Sequence, residues 1–204
     1  KGNKNKVQAS LDDLFNHFRE INVDSNSDDN NFNIEDHIDL DSVHNILDTE
    51  ISEDEIKKVV KYLKTGKSSG VDGIINEYIA SSLDLMIPIY VKLFNKVLES
   101  GVIPNEWLVG IVIPIFKNKG SAANPDNYRD ITLLSCLGKV FTAILNNRLC
   151  KFSYMINLID ENQAGFRKFY STNDHIFLLK GIIDLYLSKS KKLYCAFIDY
   201  KKAF

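Results

Sequence analysis

The chain has 204 residues, 45% of them hydrophobic, and a formal charge of −2, enough length and apolar content for one or two domains with a real core. Its three cysteines, Cys136, Cys150 and Cys195, are widely spaced and lack a CxxC pattern, which argues against a disulfide framework or zinc site and for a reducing intracellular compartment. The near-neutral charge hides an asymmetry: residues 1–60 hold 6 Lys/Arg against 15 Asp/Glu, net −9, and residues 61–204 hold 19 against 12, net +7, so only the second part attracts a polyanion.

Residues 1–50 are acidic and polar, with Asp24–Asn33 close to low complexity, and read as a mostly flexible linker holding one short helix over Ser10–Glu20. His37 and His44 in this stretch read as surface residues. Ser52-x-x-Glu55 is a capping-box pattern, and Ile56, Val59, Val60 and Leu63 repeat at helical spacing until Gly66. The loop Gly66–Gly73 contains Gly-Lys-Ser, but position 61 is Lys and a helix precedes it, so a phosphate-cradling P-loop is excluded. Helices are expected over Ile74–Ser82 and Ile87–Glu99, the latter ended by Gly101, followed by a strand over Leu108–Phe116 despite Pro114. A polar loop then runs from Lys117 to Arg129. Leu137–Leu149 reads as an amphipathic helix with Lys139, Asn147 and Arg148 outside its apolar face. Ser171–Thr172 caps a further helix to Leu187, with Ile176, Leu179, Ile182, Ile183 and Tyr186 core-like, and Leu193–Asp199 reads as a buried strand. The whole is α+β. The apolar run Leu108–Ile113 falls far short of the roughly 20 residues a bilayer span needs. No signal peptide is visible, the first residue is not Met, and both ends read as cuts.

Five blocks, in order, resemble one family. They are Gly66–Glu77 (GKSSGVDGIINE), Pro104–Gly120 (PNEWLVGIVIPIFKNKG), Asn127–Leu149 (NYRDITLLSCLGKVFTAILNNRL), Glu161–Thr172 (ENQAGFRKFYST) and Ala196–Phe204 (AFIDYKKAF). Together they resemble the reverse transcriptases of non-LTR (LINE-type) retrotransposons, closest to the jockey-like group. One departure is Asp130, where such proteins commonly carry proline after the arginine. The resemblance implies a right-hand polymerase fold, with residues 51–204 as a partial reverse transcriptase domain: fingers and the first palm strand, stopping before the rest of palm and thumb.

Its implied chemistry is two-metal nucleotidyl transfer to a DNA primer, directed by an RNA template. Asp199 would be the first metal ligand for Mg2+ (or Mn2+), with the backbone carbonyl of Ile198 beside it; taken alone, an Asp ending a strand is more often a turn residue. Lys117 and Arg129 resemble the fingers pair that grips the dNTP triphosphate, Lys as a point charge and Arg as a fork; their plain alternative is solvated loop charge. Phe204 would floor the sugar pocket and select deoxynucleotides, unless it is a simple core phenylalanine. Gln163, Gly165, Phe166 and Arg167 resemble the block that guides the template, Gly165 allowing close backbone approach and Arg167 meeting phosphate. Lys168, Lys139 and Arg148 are weaker candidates for the same electrostatic track, and the polar face of a helix accounts better for the last two.

The expected partners are RNA template, DNA primer or nicked target DNA, and dNTP, with no membrane; nuclear access is implied for the parent element. The chain stops one residue before the pattern's next Asp and holds no Tyr-x-Asp-Asp block, so the expectation is that these 204 residues alone have no polymerase activity. The alternatives are a degenerate relic that at most binds RNA, or a structural helical module. The module has no reason to place Lys117, Arg129, Gln163–Arg167 and Asp199 in this order.

Overall fold

A computed structural model describes residues 8–21 and 46–200, which divide into two compact units, Lys1–Ile156 and Asn157–Phe204. Asp24–Asn33 and Phe204 lie outside the described residues. The chain is α+β. The first unit holds α1 (Leu11–Ile21), α2 (Glu53–Lys61), α3 (Asn76–Ser81), α4 (Leu83–Ser100), a single turn α5 (Asn105–Leu108), β1 (Ile111–Phe116), a 3-10 turn (Pro125–Asn127), β2 (Tyr128–Leu133) and α6 (Cys136–Met155). The second holds α7 (Thr172–Ser188).

The core of the first unit is helical. Ile56, Val59 and Val60 of α2, Ile79 of α3, Tyr90, Phe94 and Val97 of α4, and Val140, Phe141 and Ile144 of α6 meet in one buried cluster. Phe94 is fully buried, and its ring packs against Trp107 and Phe141 with centroids 6.0 and 5.6 Å away. Gly138 lets Trp107 lie on α6: a Cβ there would stand 3.0 Å from Trp107 Cγ. Gly70 does the same for the loop before α3, where a Cβ would come within 2.6 Å of the backbone nitrogen of Ser135, the N-cap of α6. Helix α2 ends at Lys61, earlier than its apolar spacing suggests; Gly66, at φ +67, lies in the turn beyond it.

The capping box of α2 is complete, Ser52 and Glu55 exchanging side-chain and backbone hydrogen bonds. Glu55 has a second task. Its two oxygens accept from Arg148 Nε and Nη2 at 2.8 and 2.9 Å. The remaining guanidinium protons go to the carbonyls of Leu47 (3.0 Å), Thr49 (2.6 Å) and Glu50 (3.0 Å). Arg148 is only 6% exposed, which corrects the expectation that it stands on a solvated polar face. The buried row of α6 is Val140, Ile144, Arg148 and Phe152, four residues apart, so the arginine occupies a core position and Leu149 turns outward. Asn95 of α4 holds the same segment, accepting from Ile51 N–H at 2.6 Å and donating to Ile51 carbonyl at 2.9 Å.

Strands β1 and β2 form an antiparallel hairpin, Ile111 opposite Leu133 through Phe116 opposite Tyr128. β2 is not evident from the sequence, which reads its start as the end of a loop. Lys117 N–H continues the ladder to Asn127 carbonyl at 2.8 Å. Hydrogen-bonded pairs alternate in an antiparallel ladder, so Pro114, three residues back, falls at a non-hydrogen-bonded pair with Asp130 and removes no ladder bond.

In the second unit, α7 carries a complete capping box from Ser171 and Asp174, as the sequence cap suggests. Ile176, Ile182, Ile183 and Tyr186 are exposed rather than core-like, and Leu179 is half-buried. Leu193–Asp199 is not a strand; Leu193 is half-buried and the side chains after it are exposed, Phe197 and Ile198 among them. The apolar pattern is that of a buried strand, but such a strand needs ladder partners, and the described residues offer it none.

Candidate functional site

The hairpin sorts its side chains by parity. Phe116 and Tyr128 sit opposite each other with ring centroids 5.4 Å apart, and this face is covered by α1 through Leu14 and Phe18. Successive strand residues point to opposite faces. Ile115 and its partner Arg129 therefore project from the other face, and Lys117, two residues beyond Ile115 and still in the ladder, shares it. The hairpin thus carries both sequence-predicted cations, Lys117 and Arg129, exposed on one face at one end. Ile111, Ile113, Ile115, Ile131 and Leu133 form the rest of that face.

The connection between the strands is held tightly. Gly120, at φ +78, is required because the Asn127 side chain lies 2.5 Å from where a Cβ would stand. Asn127 Nδ2 donates to Ser121 carbonyl at 2.9 Å, and Asn124 Oδ1 caps the 3-10 turn by accepting from Asp126 N–H at 3.0 Å. Lys117 Nζ donates to the carbonyl of Asp126 at 2.8 Å, which orders the ammonium while leaving it exposed. Asp130, the departure from the family pattern, lies within β2 and is exposed there, so it does not disturb Arg129.

In the second unit the structure brings Gln163, Gly165, Phe166 and Arg167 into one loop. Arg167 Nη1 donates to the carbonyls of Asp160 (2.9 Å) and Gln163 (3.2 Å), and its guanidinium stacks 4.3 Å over the Tyr170 ring. Only 7% of its side chain is exposed, so in this conformation Arg167 organises its own loop. Gln163 Nε2 donates to Gly165 carbonyl at 3.2 Å. The left-handed backbone falls on Phe166 (φ +62) and Phe169 (φ +70), not on Gly165, and both phenylalanines are exposed. A side chain in that region of backbone space costs about 1–2 kcal/mol, and such strain gathers at functional positions.

Asp199 is exposed on an irregular segment with Ile198 before it. Among the described residues no group of three or more His, Cys, Asp or Glu converges to hold a metal ion. Asp199 therefore does not make a divalent site with its described neighbours, and the residues described do not by themselves fit two ions. No described helix is long and apolar enough to cross a membrane. Sequence reasoning missed the buried roles of Tyr128 and Arg148. Each is recognisable only by tertiary partners, α1 for the one and Glu55 for the other.

Residues 116–204 match the family model for reverse transcriptase (RNA-dependent DNA polymerase). A probable RNA-directed DNA polymerase from transposon BS of Drosophila melanogaster is 30% identical over 155 residues, 74% of this chain and 17% of that protein. The RNA-directed DNA polymerase from mobile element jockey of the same species is 27% identical over 151 residues, 74% of this chain and 16% of that protein. A retrovirus-related Pol polyprotein from the type-1 retrotransposable element R2 of Nasonia vitripennis is 31% identical over 154 residues, 76% of this chain and 14% of that protein. The chain thus spans about a sixth of the length of these relatives. Family match and relatives agree with the sequence blocks: residues 116–204 are similar to reverse transcriptases, and the relatives aligned over 74% of the chain are polymerases of transposons and mobile elements.

Proposed function

We propose that this chain belongs to an RNA-directed DNA polymerase of a retrotransposon, supplying the fingers and the start of the palm of a right-hand fold. One observation carries the reading beyond family resemblance: the hairpin aligns Lys117 and Arg129 on a single exposed face. A triphosphate carries about four negative charges and needs protein cations besides any metal. Arg129 suits bidentate phosphate contact and Lys117 a point contact. Phe166, exposed and strained, offers a ring to a template base, and Gln163 and the loop backbone line the same strand's path. Asp199 offers one hard carboxylate oxygen to Mg2+ or Mn2+, with Ile198 carbonyl adjacent; further carboxylates must join it to complete a divalent site. Phe204 is the proposed sugar gate. The substrates and partners are dNTP, RNA template, and a DNA primer or nicked target.

RNA-templated primer extension by the product of the reading frame that encodes this chain tests the reading. Replacing Lys117 or Arg129 by alanine removes a charge-assisted contact and should lower kcat/KM for dNTP by about 10- to 100-fold, mostly through KM. Arg129→Lys should recover only part, because the fork is lost. Unchanged dNTP kinetics in both alanine variants would leave the two residues as solvated loop charges.

A further inference from the structure

Helix α1 precedes the capping box of α2 by some thirty residues in an acidic stretch, yet it packs on the hairpin that carries the two cations. Leu14 and Phe18, both buried, close over Phe116 and Tyr128, the pair at the Lys117–Arg129 end. Tyr128 is 3% exposed, and its hydroxyl donates to Ala122 carbonyl at 2.7 Å while accepting from Gln8 N–H at 3.4 Å. That hydroxyl therefore joins the chain before α1 to the loop between the strands. A second link runs beside it. His17 Nε2 lies 3.9 Å from Asp126 Oδ1, and the Asp126 backbone carbonyl is the acceptor for the Lys117 ammonium. Towards the middle of the hairpin the fit is looser, with a hollow of about 660 Å³ between α1 and Val112 and Pro114. The grip of α1 is thus concentrated where Lys117 and Arg129 emerge.

We propose that α1 is a positioning element for the nucleotide-holding end of the hairpin: by seating Phe116 and Tyr128 from behind, Leu14 and Phe18 fix the directions in which Lys117 and Arg129 leave the opposite face. The two faces of a strand are one rigid backbone, so a tilt of Tyr128 turns Arg129 next to it. A displacement of about 1 Å at a substrate-holding group is enough to lower catalytic efficiency substantially. The proposal rests on the reading that Lys117 and Arg129 hold the triphosphate. It makes the residues of α1 matter to nucleotide use without touching substrate.

The test is steady-state primer extension by the polymerase of the full reading frame, with dNTP and template–primer titrated separately. Phe18→Ala should raise the KM for dNTP by about fivefold to tenfold and leave the KM for template–primer within about twofold, while Phe18→Leu, which refills the seat, restores most of the loss. In a background with both Lys117 and Arg129 replaced by alanine the same Phe18→Ala change should add less than about twofold, because α1 acts through those two contacts; a general loss of stability would add in full. Should Phe18→Ala not fold, Tyr128→Phe, which keeps the ring and removes only the hydroxyl, should still raise the dNTP KM by about threefold. An unchanged dNTP KM in folded Phe18→Ala, or in Tyr128→Phe where that variant alone folds, overturns the proposal, as does an equal rise in the template–primer KM. If Lys117→Ala itself leaves the dNTP KM unchanged, the triphosphate reading fails and the proposal with it. If Lys117→Ala raises it and the α1 variants do not, only the role of α1 is lost.

Discussion

Arg148→Met should lower the unfolding free energy of the chain by about 3–5 kcal/mol, because it strands a partly buried carboxylate and leaves three backbone carbonyls without their donor. For a unit of this size that corresponds to a fall in melting temperature of roughly ten degrees. Methionine fills a similar volume, so the loss measures hydrogen bonding and charge more than a cavity. Arg148→Lys should recover only a fraction, since one ammonium cannot reach two carboxylate oxygens and three carbonyls together. The same pair predicts a pH dependence. The Arg148 hydrogen bond, opposed by burial and helped by the Ser52 backbone N–H, holds the Glu55 carboxyl at about 2 instead of 4.5. A depressed folded-state value means that the stabilisation is complete above the ordinary carboxylate range and is lost as pH falls through 4.5 towards 2. With solvent screening at a side chain still 30% exposed, about 2 kcal/mol is the size expected. Urea unfolding at several pH values checks both parts. The wild-type chain should lose stability steeply below pH 4.5, whereas Arg148→Met should show a flatter profile; equal slopes would deny the pair its role.

Much of this architecture is legible in the sequence where a local rule decides it. The Ser52–Glu55 box starts α2, the apolar spacing of Val140, Phe141 and Ile144 marks α6, the β-branched run before Lys117 marks β1, and Ser171 starts α7. The failures share a physical cause: each depends on a partner distant in the chain. Arg148 follows the buried row of α6, but periodicity places an arginine outside because its acceptors, 93 to 101 residues away, are invisible to it. Tyr128–Leu133 alternates weakly and becomes a strand only opposite β1. Leu193–Asp199 errs in the other direction, since its composition is that of a central strand and no described strand lies beside it. The sequence shows Glu55 as part of a cap and not as an ion pair, although one carboxylate serves both.

The candidate site divides along the same line. Lys117, Arg129, the Gln163–Arg167 loop and Asp199 are found by the order of their blocks, and the hairpin register then brings the first two onto one face. The conformation of the template-like loop is not legible in the sequence: its pattern turns Arg167 to phosphate, whereas the guanidinium is turned into its own loop, and Phe166 and Phe169 take exposed, left-handed places. Arg167→Ala is therefore a test of loop order before it is a test of template binding.

Asp199 carries the largest catalytic expectation. Asn is its near-isostere and keeps the shape, but a neutral amide is a weak ligand for a hard divalent ion and leaves the charge of any companion carboxylates unbalanced. Asp199 is exposed and joins no described ladder, so the substitution disturbs no described packing. The most direct measurement is primer extension on an RNA template with Mg2+ and all four dNTPs, comparing the polymerase of the full reading frame with its Asp199→Asn variant at equal RNA binding. Extension by the first and a loss of about a thousandfold or more in the second is the predicted result; equal extension by both would contradict the assignment of Asp199 to the catalytic centre.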